Sequence, residues 1–372
     1  MKYRMRGIIS IWLVFFTFQV FSQTPFLNDP VAKRYIRNGL NLIYNLEFEE
    51  SDYYLDSLRM RYPAHPVIPF YQGMQLYWAN YPVPQDGDID DQFVQYIERA
   101  IDGAGKLLEK DNMNIEGVFF DLAARSFLVM YYADNGHPFK CFPHLDNVYR
   151  QLMNAFELQD QYEEFYFFTG LYDYYIDAYP EAHPVYKPIT NLFKRGDKEL
   201  GLKWLDYAFR NTDFMKVEAS HFLVIIYLGF EQNYRRALYY AEQLYSMFPN
   251  NSYYFAKYVE MVVVLEDYDK AKGLIDSLNT LGPFFRMKAT IFRGLYEEGT
   301  NRNPEYGKRY FMKGIELAEP FGDYAGYTVA YAYMGMSRDY QRKGDKKKAR
   351  EYYKLAKSTN AYPQVYEINK LE

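Results

Sequence analysis

Downstream of about residue 30 the apolar positions recur at three- and four-residue spacing in one stretch after another, the period of a helix with a buried face. No segment alternates polar and apolar residues as a half-buried strand would, and no low-complexity linker interrupts the series. The pattern predicts a chain built of successive amphipathic helices. Self-similarity at fixed distance organises them: Tyr234, Ala237 and Pro249 recur 34 residues later as Tyr268, Ala271 and Pro283, and Gly39 recurs as Gly73. Three positions in register predict paired helices repeated along the chain.

The last unit shows the pattern most fully. Tyr333, Met336, Ser337 and Tyr340 fall on one helix, Gly344 and Asp345 form a turn, and Ala349, Tyr353 and Ala356 follow on a second helix. The first unit reads Tyr35, Asn38, Gly39, Leu42, then Ser51, Leu55 and Pro63. In this spacing the chain resembles the tetratricopeptide repeat (TPR) family, in which small residues let two helices approach, bulky ones fill the gap and proline closes the second helix. The resemblance implies an all-α fold, a right-handed superhelix (α-solenoid) of about eight TPR-like helical hairpins, near residues 32–65, 66–112, 115–157, 160–210, 215–249, 252–283, 286–320 and 326–361. It covers residues 23–372 as a single domain, with insertions near 79–90, 134–144, 177–195 and 299–305. Residues 170–208, through Gly170, Pro180 and "FKRGDKELGLKWLDYA", also resemble a segment of the inclusion-body-clearance branch of that family.

The first 22 residues differ in kind. Lys2, Arg4 and Arg6 precede an uncharged apolar run from Ile8 to Phe21 and then Ser22, the layout of a secretory signal peptide. The run is shorter than the roughly 20 apolar residues that span a bilayer, so the expectation is cleavage after Ser22 and a mature chain with no transmembrane segment. Residue 23 is Gln, so a lipid-anchoring cysteine is not expected there. With family habit, this places the chain in the periplasm of a Gram-negative bacterium. Removing the leader takes the formal charge from −5 to −8, which leads to the expectation of no nucleic-acid partner. The only cysteine, Cys141, has no second cysteine to pair with, so packing must carry the stability.

Candidate chemistry is sparse. His137, Cys141 and His144, with Asp134 or Asp146 nearby, fit no common zinc spacing, and no metal is expected. Asp86, Asp88 and Asp90 open like a calcium loop, but Asp91 and Ile97 stand where glycine and a bidentate glutamate are needed; Asp90 or Asp91 as a helix cap explains the acids better. Glu181 and His183 sit among Pro180, Pro184 and Pro188 without a third catalytic group. No enzyme activity and no cofactor are expected.

The composition holds 42 tyrosines and 29 phenylalanines, so aromatic rings are a structural material and candidate binding anchors at once. In the repeat register, Arg37, Tyr71, Trp78, Phe168, Tyr175, Tyr253, Arg338 and Arg342 are expected on the concave face as a partner-binding groove. TPR co-chaperones that clamp a peptide carboxylate use a lysine and an asparagine where this chain has Ile36 and Leu40, with another asparagine at the place of Tyr71. That function does not transfer. The expectation is an exported, non-catalytic scaffold that binds a protein or peptide partner through its concave aromatic face. The alternative is a carbohydrate-binding protein, related in architecture to starch-utilisation-type glycan receptors, that stacks sugars on the same rings.

Overall fold

The computed structural model describes residues 25–84, 87–300, 304–359 and 361–369. The predicted signal peptide, with Gln23, and Asp86 lie outside the described residues. Among the described residues there is no strand, and no helix is long and apolar enough to cross a membrane.

Among the described residues, eight helical hairpins follow one another. They pair α1 (Pro30–Tyr44) with α2 (Phe48–Arg61), α3 (Val67–Ala79) with α4 (Asp88–Leu108), and α5 (Ile115–Asp134) with α6 (Pro138–Leu158). Next, α7 (Phe165–Ala182) pairs with α9 (Lys198–Asn211) across a short α8 (Lys187–Thr190). The last four hairpins join α10 (Lys216–Gly229) to α11 (Tyr234–Met247), α12 (Ser252–Val264) to α13 (Tyr268–Leu278), α14 (Pro283–Thr300) to α15 (Pro304–Ala318), and α16 (Gly326–Arg342) to α17 (Lys346–Ser358). A one-turn α18 (Gln364–Glu367) ends the described chain. Each second helix also packs on the first helix of the next hairpin, so the hairpins stack as an α-solenoid.

Two layers follow from the sequence pattern. The first helix of a hairpin is apolar on most sides: α12 buries every residue from Tyr254 to Val264. The second helix is amphipathic: α13 buries only Ala271, Ile275 and Leu278, and α17 only Ala349 and Ala356. First helices therefore form the inner layer and second helices the outer one. Where the two meet, Ser51, Gly201, Ala237, Ala271 and Ala349 occupy one register position and are all buried. Five residues before it, in four of these hairpins, the turn residue takes a left-handed conformation: Leu46 (φ 62), Gln232 (φ 49), Glu266 (φ 56) and Gly344 (φ 77). The following residue, Asn233, Asp267 or Asp345, caps the second helix with its side chain.

Some local expectations shift. Pro283 opens α14 and does not close α13, because a proline at the first helical position gives up only an amide that has no partner anyway. The residues expected as an insertion near 134–144 are a tight turn followed by the first turns of α6, and α7 continues through Pro180 to Ala182. Gly87, not Asp90 or Asp91, is the N-cap of α4; Asp90 instead accepts the Tyr131 hydroxyl at 2.6 Å.

The superhelix winds tightly enough for hairpins far apart in sequence to meet, the first with the fifth and sixth and the third with the start of the last. Asn251, which caps α12, donates from Nδ2 to the Tyr44 carbonyl at 2.8 Å, and the Asn250 amide donates to Asn45 Oδ1 at 3.1 Å. Arg37 pairs with Asp213 at 3.3 Å, the Tyr44 hydroxyl donates to Glu218, and Asn135 Nδ2 donates to the Tyr324 hydroxyl at 3.1 Å. Each contact joins residues more than 170 positions apart. What would be an open concave groove in a loosely coiled solenoid is here the centre of the molecule.

Candidate functional site: an aromatic cavity with unpaired carboxyls

A cavity of about 180 Å³ remains where the inner helices converge. It is enclosed by α3, α5, α7, α10 and α12, and each contributes one face at helical spacing. From α5 come Ser126, Met130 and Asp134, four residues apart, and from α10 come Glu218, His221 and Phe222. Trp78 and Tyr81 enter from the end of α3 and Tyr253 from the start of α12. These three rings touch: the Trp78 and Tyr253 centroids lie 6.0 Å apart and those of Tyr81 and Tyr253 5.0 Å apart.

Three titratable groups face this apolar space. Burial pushes the Asp134 carboxyl up to about 6, and no cation draws it down. Asp134 is nonetheless exposed to solvent at the end of α5, so it sits at the mouth of the cavity with protein crowded on one side, and not in packed core. Burial pushes Glu218 up to about 7, the nearby Glu164 charge adds to the rise, and the Tyr44 hydroxyl donated to it acts in the opposite direction. His221 is pushed down to about 3 by burial and by the Lys257 charge, so its imidazole is neutral at neutral pH. Glu218 Oε2 and His221 Nδ1 are buried without hydrogen-bond partners among the described residues. Such groups in a concave apolar site are what a binding pocket presents to a ligand.

The expected groove residues divide. Trp78, Phe168 and Tyr253 line the cavity. Tyr175 lies apart from it, packed on Tyr174 and Phe230 with centroids 5.3 Å away in each case. Arg37 is a half-exposed clasp to Asp213. Tyr71 is corrected to core: it is fully buried against Gly39, and its hydroxyl donates to the Ser51 carbonyl at 2.8 Å. Arg338 is likewise corrected, being 4% exposed and bound at Nε and Nη2 to Glu298 at 2.9 and 2.5 Å, while Arg342 reaches the same carboxylate at 2.9 Å. In both cases the side chain packs between adjacent hairpins instead of facing an open groove. Sequence reasoning passed over Glu218 and His221, and considered Asp134 only beside His137, Cys141 and His144. The legible signal was a charged residue within or ending an almost uninterrupted apolar helix, as in "FLVMYYAD" and "VEASHFLVII".

Toward the last hairpins the inner face is filled. Lys257 pairs with Glu260 at 3.0 Å, and Glu260 accepts the Tyr327 and Tyr331 hydroxyls at 2.7 and 3.0 Å. Lys288, pushed down to about 7 by burial and the Lys257 charge, donates to Thr328 at 2.8 Å. The chain after α17 then folds back across this face. Gln364 donates to the Tyr331 hydroxyl at 3.1 Å, Glu367 accepts from Tyr234 at 2.7 Å, and Asn369 donates to the Leu295 carbonyl at 3.0 Å. Among the described residues no group of three His, Cys, Asp or Glu side chains is placed to hold a metal; His144 instead lies 3.4 Å from Arg125 Nη1. Glu181 pairs with Lys198 at 3.0 Å on the surface, away from the cavity.

No family model matches the chain, and no curated protein matches it. Among solved structures it is similar to human IFIT1 as a dimer with PPP-AAAA, at 16% identity and a TM-score of 0.38, over 89% of this chain and 85% of that one. It is also similar to human IFIT1 as a dimer with m7Gppp-AAAA, at 16% identity and a TM-score of 0.36, over 87% and 81%. Both neighbours hold nucleotide ligands, and this corrects the expectation of no nucleic-acid partner. That exclusion rested on net charge alone and is not retained.

Proposed function

We propose that this chain is an exported, non-catalytic binding protein of the tetratricopeptide type, one solenoid over residues 23–372, whose protein or peptide partner is engaged at the inner cavity. The observation that carries the reading is the cavity itself, an aromatic-walled space with Glu218 Oε2 and His221 Nδ1 left unpartnered. Its size narrows the mode of binding. An apolar cavity of about 150 Å³ admits a benzene, so 180 Å³ accommodates one side chain or small molecule. A partner would insert a residue and rest against the rim.

Export is supported by Lys2, Arg4 and Arg6 ahead of the apolar run, which matches a periplasmic location. Kinship with tetratricopeptide proteins is supported by the small residues at one register position, Ser51, Gly201, Ala237, Ala271 and Ala349. Binding is favoured over catalysis because a general base needs a group that orients it, and His221 Nδ1 has none among the described residues.

Photocrosslinking tests the reading in the native envelope. A benzoylphenylalanine at Phe222, on the cavity wall, is expected to capture a protein partner, with capture abolished by Trp78→Ala. The same probe at Met60, which is exposed on the outer layer, should capture nothing specific. A nuclease-sensitive adduct from Phe222 would replace the protein partner with nucleic acid. No adduct from Phe222 would contradict the proposal.

A further inference from the structure

We infer that the cavity recognises an organic cation: an ammonium or guanidinium carried on an apolar stem. The inference rests on the binding reading above and names the chemistry that the site would admit. Asp134, exposed at the mouth, has no hydrogen-bond or ion-pair partner among the described residues, and deeper in, Glu218 has one oxygen engaged by Tyr44 and the other, buried, by nothing. Two carboxyls without a counter-ion thus line one small space.

The groups on every packed element agree in sign. Tyr44 on α1, Tyr77 and Tyr81 at the end of α3, and Tyr253 on α12 are neutral phenols. Glu164, ahead of α7, adds negative charge. On α10, His221 is neutral, and on α12 Lys257 is already matched by Glu260 at 3.0 Å. Nothing on the wall neutralises Asp134.

A cation entering here would gain twice. Its charge would pair with Asp134 at the mouth and with Glu218 further in, where burial weakens competition from water, and its stem would lie against the rings of Trp78, Tyr81 and Tyr253, whose faces attract cations. A neutral ligand of the same shape would leave the carboxyls unpaired, and an anion would be repelled. The volume suits a short stem such as that of a lysine or a small alkylamine.

Calorimetry with the purified chain at pH 7.5 tests this, using n-butylammonium, n-butanol and butyrate as probes. The expected result is saturable one-to-one binding of n-butylammonium, at least tenfold tighter than n-butanol, with butyrate inert. Asp134→Asn, which keeps the shape, should weaken the cation at least tenfold and leave the alcohol unchanged, with the far-UV spectrum preserved. Lowering the pH from 7.5 to 5 should weaken the cation as the carboxyls protonate. Nα-acetyl-lysine amide in place of n-butylammonium identifies the source: tighter binding of the amide points to a partner's side chain, and tighter binding of the amine to a free small molecule.

Equal affinity for alcohol and ammonium, or an unchanged Asp134→Asn variant, overturns the cation while leaving the cavity as a binding site. Failure of every probe, with capture from Phe222 intact, also overturns it. Failure of every probe together with no capture from Phe222 removes the binding reading as well.

Discussion

Replacing Gly201 with valine is expected to destabilise the protein by on the order of 3 kcal/mol, the upper end of what overpacking costs. A Cβ at this position would lie 2.5 Å from the Tyr174 amide nitrogen, 2.7 Å from the Gly170 carbonyl oxygen and 2.9 Å from Tyr174 Cα. All three are backbone atoms of α7, so no side chain can rotate away and α9 must separate from its partner helix. Denaturant unfolding should show the midpoint fall with little change in slope. Gly105→Ala is the control: nothing lies within 4 Å of a Cβ there, and alanine is the better helix former, so it should be neutral or stabilising. A Gly201→Val variant within about 1 kcal/mol of wild type, well under the cost of forcing two backbones apart, would mean that α7 and α9 are not paired in this way.

The second large effect is expected at Glu164. Its buried carboxylate accepts the backbone amides of Asp213, Phe214 and Met215 at 2.8, 3.0 and 2.8 Å, tying the start of α7 to the loop that enters α10. Glu164→Ala would strand the amides of Phe214 and Met215, both buried, while the exposed Asp213 can turn to water. At about 1–3 kcal/mol for each stranded donor, the expected loss is roughly 4 kcal/mol. Burial pushes Glu164 up to about 7 against the pull of those three amides. An acid whose folded pKa is raised contributes its stability fully below its unfolded value and loses it as pH rises through the folded one. The gap between wild type and Glu164→Ala should therefore be wider at pH 5 than at pH 8. A gap that widens toward pH 8 would contradict this environment for the carboxyl.

The hairpin series was legible because helix pairing imposes a small residue at a fixed place. Ala237, Ala271 and Ala349 mark the outer helices, and Gly201 marks the same place in the longest hairpin. The turns were less legible: Leu46, Gln232 and Glu266 adopt left-handed backbone with ordinary side chains, so no glycine announced them. Closure of the superhelix was not legible at all. It depends on small rotations accumulated from one hairpin to the next, and its contacts, such as Asn251 to Tyr44, join residues 207 positions apart. Tyr71 and Arg338, by contrast, are buried by packing between adjacent hairpins, against Gly39 and Ser51 in one case and Glu298 in the other.

The same closure explains which parts of the site could be read beforehand. Trp78, Phe168 and Tyr253 stood out as aromatic anchors, and the cavity uses them. Glu218 and His221 did not, because single polar residues in apolar helices are usually satisfied by a neighbour. Here the neighbour on one side is the Tyr44 hydroxyl, and on the other side there is open space.

The central claim is that ligands bind in the cavity that Trp78 lines, and fluorescence can read that residue alone. The chain has three tryptophans, Trp12, Trp78 and Trp204, so Trp12→Phe combined with Trp204→Phe leaves one reporter, on the cavity wall. Titration with n-butylammonium or with a captured partner is expected to shift or quench its emission saturably, at the affinity measured by calorimetry. Binding that leaves Trp78 emission unchanged, while Trp204 in the wild-type background responds, would place the site on the outer layer and contradict the account.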